Sequence, residues 1–551
     1  MKKTFLLSCL MLAAMPVMAA YTGRVYVDKN KNGVFDPGEK TWAGIKVSDG
    51  LNVVETAADG SFTLPGHERE RFIFITTPSG YKTFNRHYHK IEEKQSGYDF
   101  GLMPYSGRIR KDGSHKYIHI ADTEIFNTEN HEDWVNNVRD YARNEQAAFI
   151  IHTGDICYEK GLKAHIKLMN TENMDCPVFY CIGNHDLVKG KYGEELFESI
   201  YGPVYYSFDA GNVHYIVTPM PGGDHAPGYT SDDVCRWLKN DLAHIRPGTP
   251  VVVFNHDLLT YEDAFIFKSK NAGSINLNEH NLKAWVYGHW HINYMKKQGD
   301  VYSVCTSSLD KGGIDHSTTA FRVMHVDSKG DFTSELRYTY LDKNICIASP
   351  AGVMASGVLP VAVNVYSSVS PVREVLYTCL ADGKPVLKNK RLLQSTDWSW
   401  NGELPLSHKY VGKELTLRVT ARFNNGEIAE AESNFICRTE KAVPLFSADW
   451  DNLSGNAKHS APVSAPLNLP LQLAWTNNVG ANLYMTSPLI HKGKVIVASV
   501  DEDLKGAGHV YALNGKDGTI LWSCPVRNSI KNSIAVDSDI VFAQDAQGFL
   551  Y

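Results

Sequence analysis

Short apolar runs that end in polar residues recur between residues 114 and 342, and they alternate with longer amphipathic stretches. One such stretch carries Trp134, Val138 and Tyr141 at helical spacing. Alternation of strand and helix patterns is typical of a sheet covered by helices. The patterns predict strands at 116–121, 148–153, 178–182, 213–217, 251–255 and 282–287, and helices at 132–144 and 161–169.

The patterns on both sides of this central region predict β domains. Alternating runs such as 23–27 indicate a small β domain over residues 21–108. Runs such as 361–366, separated by Gly- and Asn-rich turns, indicate an immunoglobulin-like sandwich over residues 344–440. Two β domains are therefore expected to flank an α/β region over residues 114–342.

The last region, residues 443–551, contains a repeat. The segment 494–499 resembles 539–544, and 508–511 resembles 548–551, at a spacing of roughly 40–45 residues that is typical of propeller blades. A propeller needs about 4–8 blades to close, and the chain stops within its second repeat. The sequence therefore predicts incomplete propeller-like blades and a protein that continues beyond residue 551.

Length, charge and cysteine spacing narrow the classes of protein. A chain of 551 residues is too long for a single core, which favours several domains. The net charge of −6, without a basic block, argues against nucleic acid as a partner, because phosphate-backbone binding needs clustered Lys and Arg. The cysteines show no CxxC spacing, and Cys176 with Cys181 either forms a pair or stays as two buried thiols.

The first twenty residues have the pattern of a secretory signal peptide. Lys2 and Lys3 precede an apolar stretch over 5–17, and small residues follow at Ala19 and Ala20. A lipoprotein signal with Cys9 as the acylated residue is the weaker alternative, since the apolar stretch before Cys9 is too short. No other stretch reaches the about 18 apolar residues that span a bilayer. We therefore expect export to the periplasm, the cell surface or the medium.

Acidic, amide and imidazole side chains follow the predicted strands of the central region. Asp122 and Glu124 are two residues apart, so an extended strand end points them the same way. Asp155 follows Gly154, and a carboxylate there can bridge two cations about 3.5–4 Å apart. His289 and His291 share the spacing of two that aims both at one centre. The remaining candidates are Asn184, His185, Asp186 and His256.

In chain order, these blocks read D-x-E, G-D, G-N-H-D, N-H and G-H-x-H, and they resemble the blocks of the calcineurin-like metallophosphoesterase family. The resemblance spans the central region and implies an αββα sandwich that holds two metal ions. It implies Asp122 and His291 on one metal, with Asp155 bridging to the other. His185 would face the substrate, oriented by Asp186. The ligands implied for the second metal are Asn184, His256 and His289.

Two departures from the family pattern leave the ligand set open. Glu124 stands where the family usually has histidine, so either it ligates and favours Mn, Mg or Fe over Zn, or it only accepts a hydrogen bond. Tyr158 matches the G-D-x-x-Y block of purple acid phosphatases, in which the tyrosine ligates ferric iron, or else its ring only packs. The sequence does not choose among Mn, Fe, Zn and Mg.

A second candidate metal site lies in the N-terminal β domain. Oxygen-bearing side chains occur at loop positions 1, 3, 5, 9 and 12, with Gly33 at position 6, which is the pattern of a twelve-residue calcium loop. The alternative is an Asx-rich turn that binds no ion. The domain resembles the B-type repeats of bacterial surface proteins and the N-terminal domain of some exported calcineurin-like phosphoesterases. The candidate calcium ligands are Asp28, Asn30, Asn32, Asp36 and Glu39.

The sequence as a whole predicts a multidomain α/β and β protein, with a central sandwich between β-sandwich domains and partial blades that resemble quinoprotein propellers. The resemblance implies an exported phosphoesterase in which metal-activated water hydrolyses a phosphate mono- or diester. Its substrate would be a phosphorylated small molecule or a glycan- or lipid-linked phosphate. The alternative is a catalytically inactive secreted binding or scaffold protein that acts through its β domains and propeller.

Overall fold

The structure is a computed structural model that describes residues 20–95, 97–444, 448–460, 469, 471–484, 486–532 and 534–551. The predicted signal peptide, apart from Ala20, lies outside these residues. The described part is mostly β, with four α-helices and many sheets. In this part, no helix has the length and apolar character needed to cross a bilayer.

The N-terminal region consists of two four-stranded sheets, in the orders β4-β1-β8-β6 and β3-β2-β5-β7. Alternation decides which side chains enter the core, since Phe62 and Leu64 are buried while Thr63 between them is exposed. The strands are β1 Tyr21–Val27, β2 Lys46–Ser48, β3 Val53–Glu55, β4 Ser61–Leu64, β5 Phe72–Ile75, β6 Tyr81–Thr83, β7 Tyr88–Lys90 and β8 Phe100–Pro104.

The central region contains a five-stranded sheet, β11-β10-β9-β20-β21, and a six-stranded sheet, β12-β13-β14-β17-β19-β18. A further hairpin pairs β15 with β16. The strands are β9 His115–Ile120, β10 Phe149–His152, β11 Val178–Tyr180, β12 Tyr206–Ala210, β13 Val213–Val217, β14 Val251–Phe254, β15 Ile266–Lys268, β16 Ser274–Asn276, β17 Leu282–Tyr287, β18 Tyr294–Gln298, β19 Val301–Cys305, β20 Ala320–Val326 and β21 Phe332–Tyr338. The helices are α1 Glu132–Asn144, α2 Tyr158–Leu168, α3 Glu195–Tyr201 and α4 Ser231–Ala243.

Aromatic side chains of these two sheets contact each other. Phe149 of the first sheet lies 5.0 Å from Phe208 of the second, centroid to centroid, and Tyr117 lies 5.7 Å from Phe254. All four residues of β10 are buried, which explains why its first three residues are all apolar rather than alternating with polar ones. The opposite face of the five-stranded sheet packs against α1 through side chains that include Trp134.

The N-terminal sheets pack on the six-stranded side of the central region. The ring of Phe74 lies 6.4 Å from that of Trp237 in α4. Arg71 forms ion pairs with two buried carboxylates, Glu194 at 2.7 Å and Glu198 at 3.0 Å. These contacts fix the N-terminal region against the central one rather than leaving it on a free linker.

The parallel strands bring the predicted polar blocks together. Strands β9, β10 and β11 run parallel in one sheet, and β14 and β17 run parallel in the other. Each of the five ends just before one of the candidate blocks. Because the carboxyl ends of parallel strands share one edge of a sheet, their turns meet there. Cys176 and Cys181, close to β11, are buried free thiols.

Residues 344–438 form two further sheets, β22-β24-β28-β27 and β23-β30-β29-β25-β26, which enclose an apolar cluster of their own. Long alternating strands build this cluster, as in β29, where every second residue is buried. The strands are β22 Asn344–Ser349, β23 Gly352–Ala355, β24 Gly357–Tyr366, β25 Val372–Ala381, β26 Lys384–Arg391, β27 Leu393–Gln394, β28 Ser399–Leu406, β29 Glu414–Phe423 and β30 Ile428–Arg438.

The last described region has one antiparallel four-stranded sheet, β31-β32-β33-β34, and a hairpin of β35 and β36. The repeated segments 494–499 and 539–544 correspond to β32 and β36. Trp475 donates a hydrogen bond to Gly515 O at 2.8 Å. The strands are β31 Leu489–His491, β32 Lys494–Ala498, β33 His509–Asn514, β34 Ile520–Pro525, β35 Ala535–Asp537 and β36 Ile540–Phe542.

A network of buried charges joins this last region to the central one. Lys531 Nζ contacts Glu502 Oε1 at 2.7 Å, Asp315 Oδ2 at 2.8 Å and the carbonyl oxygen of Asn293 at 2.7 Å. Arg322 on β20 is fully buried and pairs with Asp503. Asn293 lies two residues beyond the candidate ligand His291, so the C-terminal strands pack next to the candidate metal centre.

Candidate metal centre

The turns that carry the candidate ligands have unusual backbone conformations. The φ angles of Asp122, Asp155, His289 and His291 are 52°, 56°, 64° and 50°, in the left-handed region that side chains rarely adopt. Such conformations cost free energy and cluster at functional sites. Gly154 has a φ of 96°, and a Cβ there would lie 2.6 Å from His256 Nδ1. The strained turns bring the side chains of separate strands to one point.

One group of candidate ligands centres on Asp155. His256 Nε2 lies 3.1 Å from Asp155 Oδ2 and 3.9 Å from Asp122 Oδ1. His289 belongs to the same cluster, since one ligand atom from each of Asp155, His256 and His289 lies within 4.8 Å of the others. The Nδ1 atom of His256 contacts Thr153 O at 2.6 Å, which leaves Nε2 directed at the carboxylates.

Two buried polar atoms in this group test whether the residues fit metal ions. Asn184 Oδ1 has no hydrogen-bond partner among the described residues, whereas His256 Nε2 has only the ion pair with Asp155 Oδ2 at 3.1 Å, which lacks the geometry of a hydrogen bond. A buried polar atom without a partner is costly, and imidazole nitrogen and amide oxygen are both good ligands for divalent cations. The unpaired Asn184 Oδ1, the ring nitrogen of His256 and the surrounding carboxylates therefore fit a metal pair.

The second group lies around Asp122. His291 Nε2 is 3.4 Å from Asp122 Oδ1 and 3.6 Å from Glu124 Oε1. Glu124 Oε2 also accepts a hydrogen bond from Lys311 Nζ at 3.2 Å, and the same ammonium donates to Glu124 O at 3.0 Å. The carboxylate of Glu124 thus lies between the imidazole of His291 and the ammonium group of Lys311. This position is compatible both with Glu124 as a metal ligand and with Glu124 as a hydrogen-bond acceptor only.

The surroundings of His185 differ from what the resemblance implies. Its Nδ1 lies 2.8 Å from Asp224 Oδ2 and 3.4 Å from the hydroxyl of Tyr158. Asp186 instead accepts hydrogen bonds from the N–H groups of Cys157 and Gly183, both at 2.9 Å. The carboxylate closest to His185 Nδ1 is therefore that of Asp224, and Asp155 Oδ2 lies 4.0 Å from Nε2, while Asp186 accepts hydrogen bonds from the backbone of the turn.

Electrostatics reflect the crowding of these groups. Burial raises the pKa of Asp122 well above its usual range; His256 opposes this shift, and the negative charges of Asp155 and Glu124 add to it. Burial acts to lower the pKa of His256, but Asp155 and Asp122 outweigh it and raise this pKa to about 10. Burial and the charge of Asp155 raise the pKa of Asp186 to about 6. Positive charge at this centre would relieve the repulsion among the carboxylates.

Two contacting residues have no signal in the sequence. Asp224 and Lys311 lie in the loops 219–228 and 306–319, which are rich in Gly, Pro, Ser or Thr. In these loops it is Asp224 that contacts His185 and Lys311 that contacts Glu124. A single charged residue in a loop has no spacing that links it to a distant strand end. The one sequence signal for Lys311 is Glu124, a carboxylate where the family usually has histidine, because its extra negative charge favours a positively charged neighbour.

The five candidate calcium ligands also come together. Asp28 accepts hydrogen bonds from the backbone N–H groups of residues 31–33, and Glu39 accepts from those of residues 29 and 36. The side-chain amides of Asn30 and Asn32 both donate to Asp36 Oδ2, at 2.7 Å. Such bonds satisfy the side chains of the turn without an ion. Calcium binding stays a prediction.

Two family models match the chain. Residues 115–293 match the calcineurin-like phosphoesterase model, and residues 29–105 match the model for the N terminal of calcineurin-like phosphoesterase. The calcineurin-like phosphoesterase domain over residues 115–293 indicates a metal-dependent phosphoesterase, which is a hydrolase. The family of this domain depends on two metal ions, and the two matched regions together span less than half of the chain. The resemblance found in the sequence is confirmed for these two regions.

Similar solved structures cover parts of the chain. An engineered protein shares 10% identity at a TM-score of 0.16 and matches 53% of this chain and 49% of its own. A conserved uncharacterized protein and predicted phosphoesterase from Streptococcus pneumoniae TIGR4 shares 11% identity at a TM-score of 0.19, with coverage of 41% and 98%. An endo-beta-1,4-mannanase from Thermotoga petrophila shares 8% identity at a TM-score of 0.16, and the match covers 54% of this chain and 48% of the mannanase chain. The chain thus spans about half the length of the first and third. No curated protein matches the sequence.

Proposed function

We propose that this protein is an exported phosphoesterase that uses two metal ions to hydrolyse a phosphate mono- or diester. The observation that carries the proposal is that the carboxylates of Asp122 and Asp155 both lie within 4 Å of His256 Nε2, with the buried Asn184 Oδ1 unpaired in the described part of the chain. Export is supported by the pattern of residues 1–20.

The candidate ligands divide between two positions. Asp122 and His291 would hold one cation, and Asp155 would bridge to the other, with Glu124 as a further ligand of the first. When bound, the two cations lower the pKa of a coordinated water and offset the charge of the phosphate. Hard ions such as Mn, Mg or Fe suit the carboxylate-rich first position better than Zn does. The second position would be formed by Asn184, His256 and His289.

His185 would act on the substrate. Burial acts to lower the pKa of His185, but the hydrogen bond to Asp224 and the charge of Asp155 outweigh it and raise the pKa. The ring therefore retains a proton to higher pH than a free histidine does. A protonated imidazole beside the metal ligands can stabilise negative charge on the phosphoryl oxygens or protonate the leaving oxygen. Asp224 would orient the ring by its contact with Nδ1.

The remaining regions would support this centre. The two sheets of the central region, packed face to face with helices outside, are proposed to form an αββα sandwich. The four-stranded sheet β31–β34 is proposed to be a propeller blade, and the flanking β domains to act as spacers. A purely binding protein remains the competing function, and it predicts neither bound metal nor turnover.

A metal-by-substrate panel on the full chain separates these functions. Protein stripped with a chelator would be reloaded with Mn, Fe, Zn or Mg and assayed with p-nitrophenyl phosphate and bis(p-nitrophenyl) phosphate. Two bound ions per chain and turnover restored by at least one metal are expected. The matched control is Asn184→Ala, which should bind less metal and lose turnover. Absence of both bound metal and turnover in the parent protein would favour the binding function.

A further inference from the structure

Two large aromatic side chains are exposed beside the candidate metal centre. Phe126 is 57% exposed and Tyr158 is 40% exposed, and their rings are nearly parallel, with centroids 6.4 Å apart and an interplanar angle of 16°. We call this pair the aromatic ledge. Most other aromatic rings of the central region, such as Tyr117 and Phe149, are buried in the core. Packing of the fold therefore gives no reason for the ledge.

The ledge is connected to the residues that would carry out the reaction. Phe126 follows Glu124 by two residues, and Tyr158 follows Asp155 by three. The ring of Tyr158 lies 5.4 Å from that of His185, and its hydroxyl is 3.4 Å from His185 Nδ1. The ledge thus borders the side of the centre on which His185 stands.

The backbone holds Tyr158 outward at an energetic cost. Cys157 and Tyr158 have φ angles of 79° and 54°, both in the left-handed region. The hydrogen bond from Cys157 N–H to the buried Asp186 fastens this strained turn. Strain of this kind persists only where the surrounding structure over-determines it, and it is concentrated at functional sites. An exposed aromatic ring on a strained, fastened turn is a preformed contact surface.

We propose that the aromatic ledge stacks against a planar ring in the alcohol part of the substrate, so that the preferred substrates are phosphoesters of nucleosides. The inference rests on the proposed function, because it places the leaving oxygen near His185. The group attached to that oxygen then extends over Tyr158 and Phe126. Two parallel rings offer a flat apolar face, and a nucleobase has the matching π-face, whereas glycerol has none.

The test compares substrates that share the reacting phosphate. The metal-loaded full chain would be assayed with adenosine 5′-monophosphate, glucose 6-phosphate and glycerol phosphate, as wild type and as Phe126→Ala and Tyr158→Ala. Loss of one stacking partner typically weakens base binding by about 5–100-fold. We expect the ratio of kcat/KM for adenosine monophosphate over glycerol phosphate to fall at least fivefold in each variant. Tyr158→Phe should keep the ratio, because it keeps the ring.

A matched control variant is Tyr340→Ala. Tyr340 is an aromatic residue of the same region, 46% exposed and with a φ of 62°, so exposure and backbone strain resemble those of Tyr158. Its replacement should leave the substrate ratio unchanged. Binding of adenosine monophosphate to the metal-loaded His185→Ala protein, measured by calorimetry, gives a readout that does not need turnover. That affinity should fall when Phe126→Leu is added, since leucine keeps apolar area but has no flat face.

The outcomes separate the two levels of the proposal. An unchanged ratio of kcat/KM for adenosine monophosphate over glycerol phosphate in both alanine variants would overturn the proposed stacking. An equal loss of kcat/KM for glucose 6-phosphate would also overturn it, because that result indicates a surface that binds sugars. Turnover of glycerol phosphate with the same kcat/KM as adenosine monophosphate in the wild type would also overturn it while leaving the phosphoesterase intact. Lack of turnover with every phosphoester, together with lack of metal, would instead refute the proposed function.

Discussion

Gly154 gives a sharp test of how tightly the metal centre is packed. It connects β10 to Asp155 at a φ of 96°, and a Cβ added there would lie 2.6 Å from His256 Nδ1 and 2.8 Å from Gly183 N. Both neighbours are fixed, His256 by its contact with Thr153 O and Gly183 by being backbone. The Gly154→Ala substitution therefore combines backbone strain with a collision inside the candidate ligand set.

The two contributions can be separated with Gly248→Ala. Gly248 has a φ of 84°, and a Cβ there would meet no heavy atom within 4 Å. Left-handed backbone costs a non-glycine residue about 1–2 kcal/mol, and both variants incur this cost. Overpacking in a rigid interior adds about 1–3 kcal/mol, and only Gly154→Ala incurs it. The difference between the two variants is thus expected to be about 1–3 kcal/mol.

Urea unfolding of both variants measures the difference, and a manganese titration measures the centre itself. We expect Gly154→Ala to lose at least tenfold in metal affinity, because His256 or Asp155 must move, while Gly248→Ala binds metal as the parent does. Equal free energies of unfolding for the two variants, together with unchanged metal affinity in Gly154→Ala, would refute the described packing.

Three further predictions concern separate parts of the molecule. Asn184→Ala should lose both bound metal and turnover, whereas His185→Ala should lose turnover and keep its metal. Metal analysis and the phosphoesterase assay measure the two properties, and normal turnover in Asn184→Ala would contradict the ligand assignment. Lys531→Met should destabilise the protein by about 3–5 kcal/mol, because the buried carboxylate of Glu502 and the partly buried one of Asp315 lose their ammonium counter-charge. An unchanged free energy of unfolding in urea would contradict this. His214 lies buried between Asp209 and Asp241, and these carboxylates outweigh burial and raise its pKa above 6.5. Its stabilisation is complete below pH 6.5 and is lost as the pH rises through the folded-state value, so His214→Gln should flatten the fall in stability above pH 6.5.

The sequence could point to the candidate ligands because each follows a predicted strand, and whether they bind metal stays a prediction. Strand β14, for example, is an apolar run of four buried residues, and the polar residues Asn255 and His256 follow it directly. The sequence does not predict the contact between Asp224 and His185, because Asp224 lies in a loop that only the tertiary fold brings to the ring. Helix α2 begins at Tyr158, three residues before the predicted start, since left-handed residues at its first turn have no periodic pattern.

The docking of the last region was equally invisible in the sequence. Lys531 and Asp315 are separated by 216 positions, and neither belongs to a motif. Repeats in residues 443–551 indicate blades, and a blade pattern predicts contacts with neighbouring blades rather than with another domain. The buried charges that join the regions arise only when both surfaces are in place.

These buried charges bear on whether the catalytic region is a separable module. A fragment that ends before residue 443 would lack Asp503 and Lys531, so the fully buried Arg322 and the carboxylate of Asp315 would each lose a counter-charge. The loop that carries Asp315 also donates the Ile314 N–H to His291 O at 2.9 Å, next to the candidate ligand. The phosphoesterase match ends at residue 293, but the contacts of the central region extend to Lys531. A fragment cut at residue 293 would therefore be smaller than the unit that packs together around the metal centre.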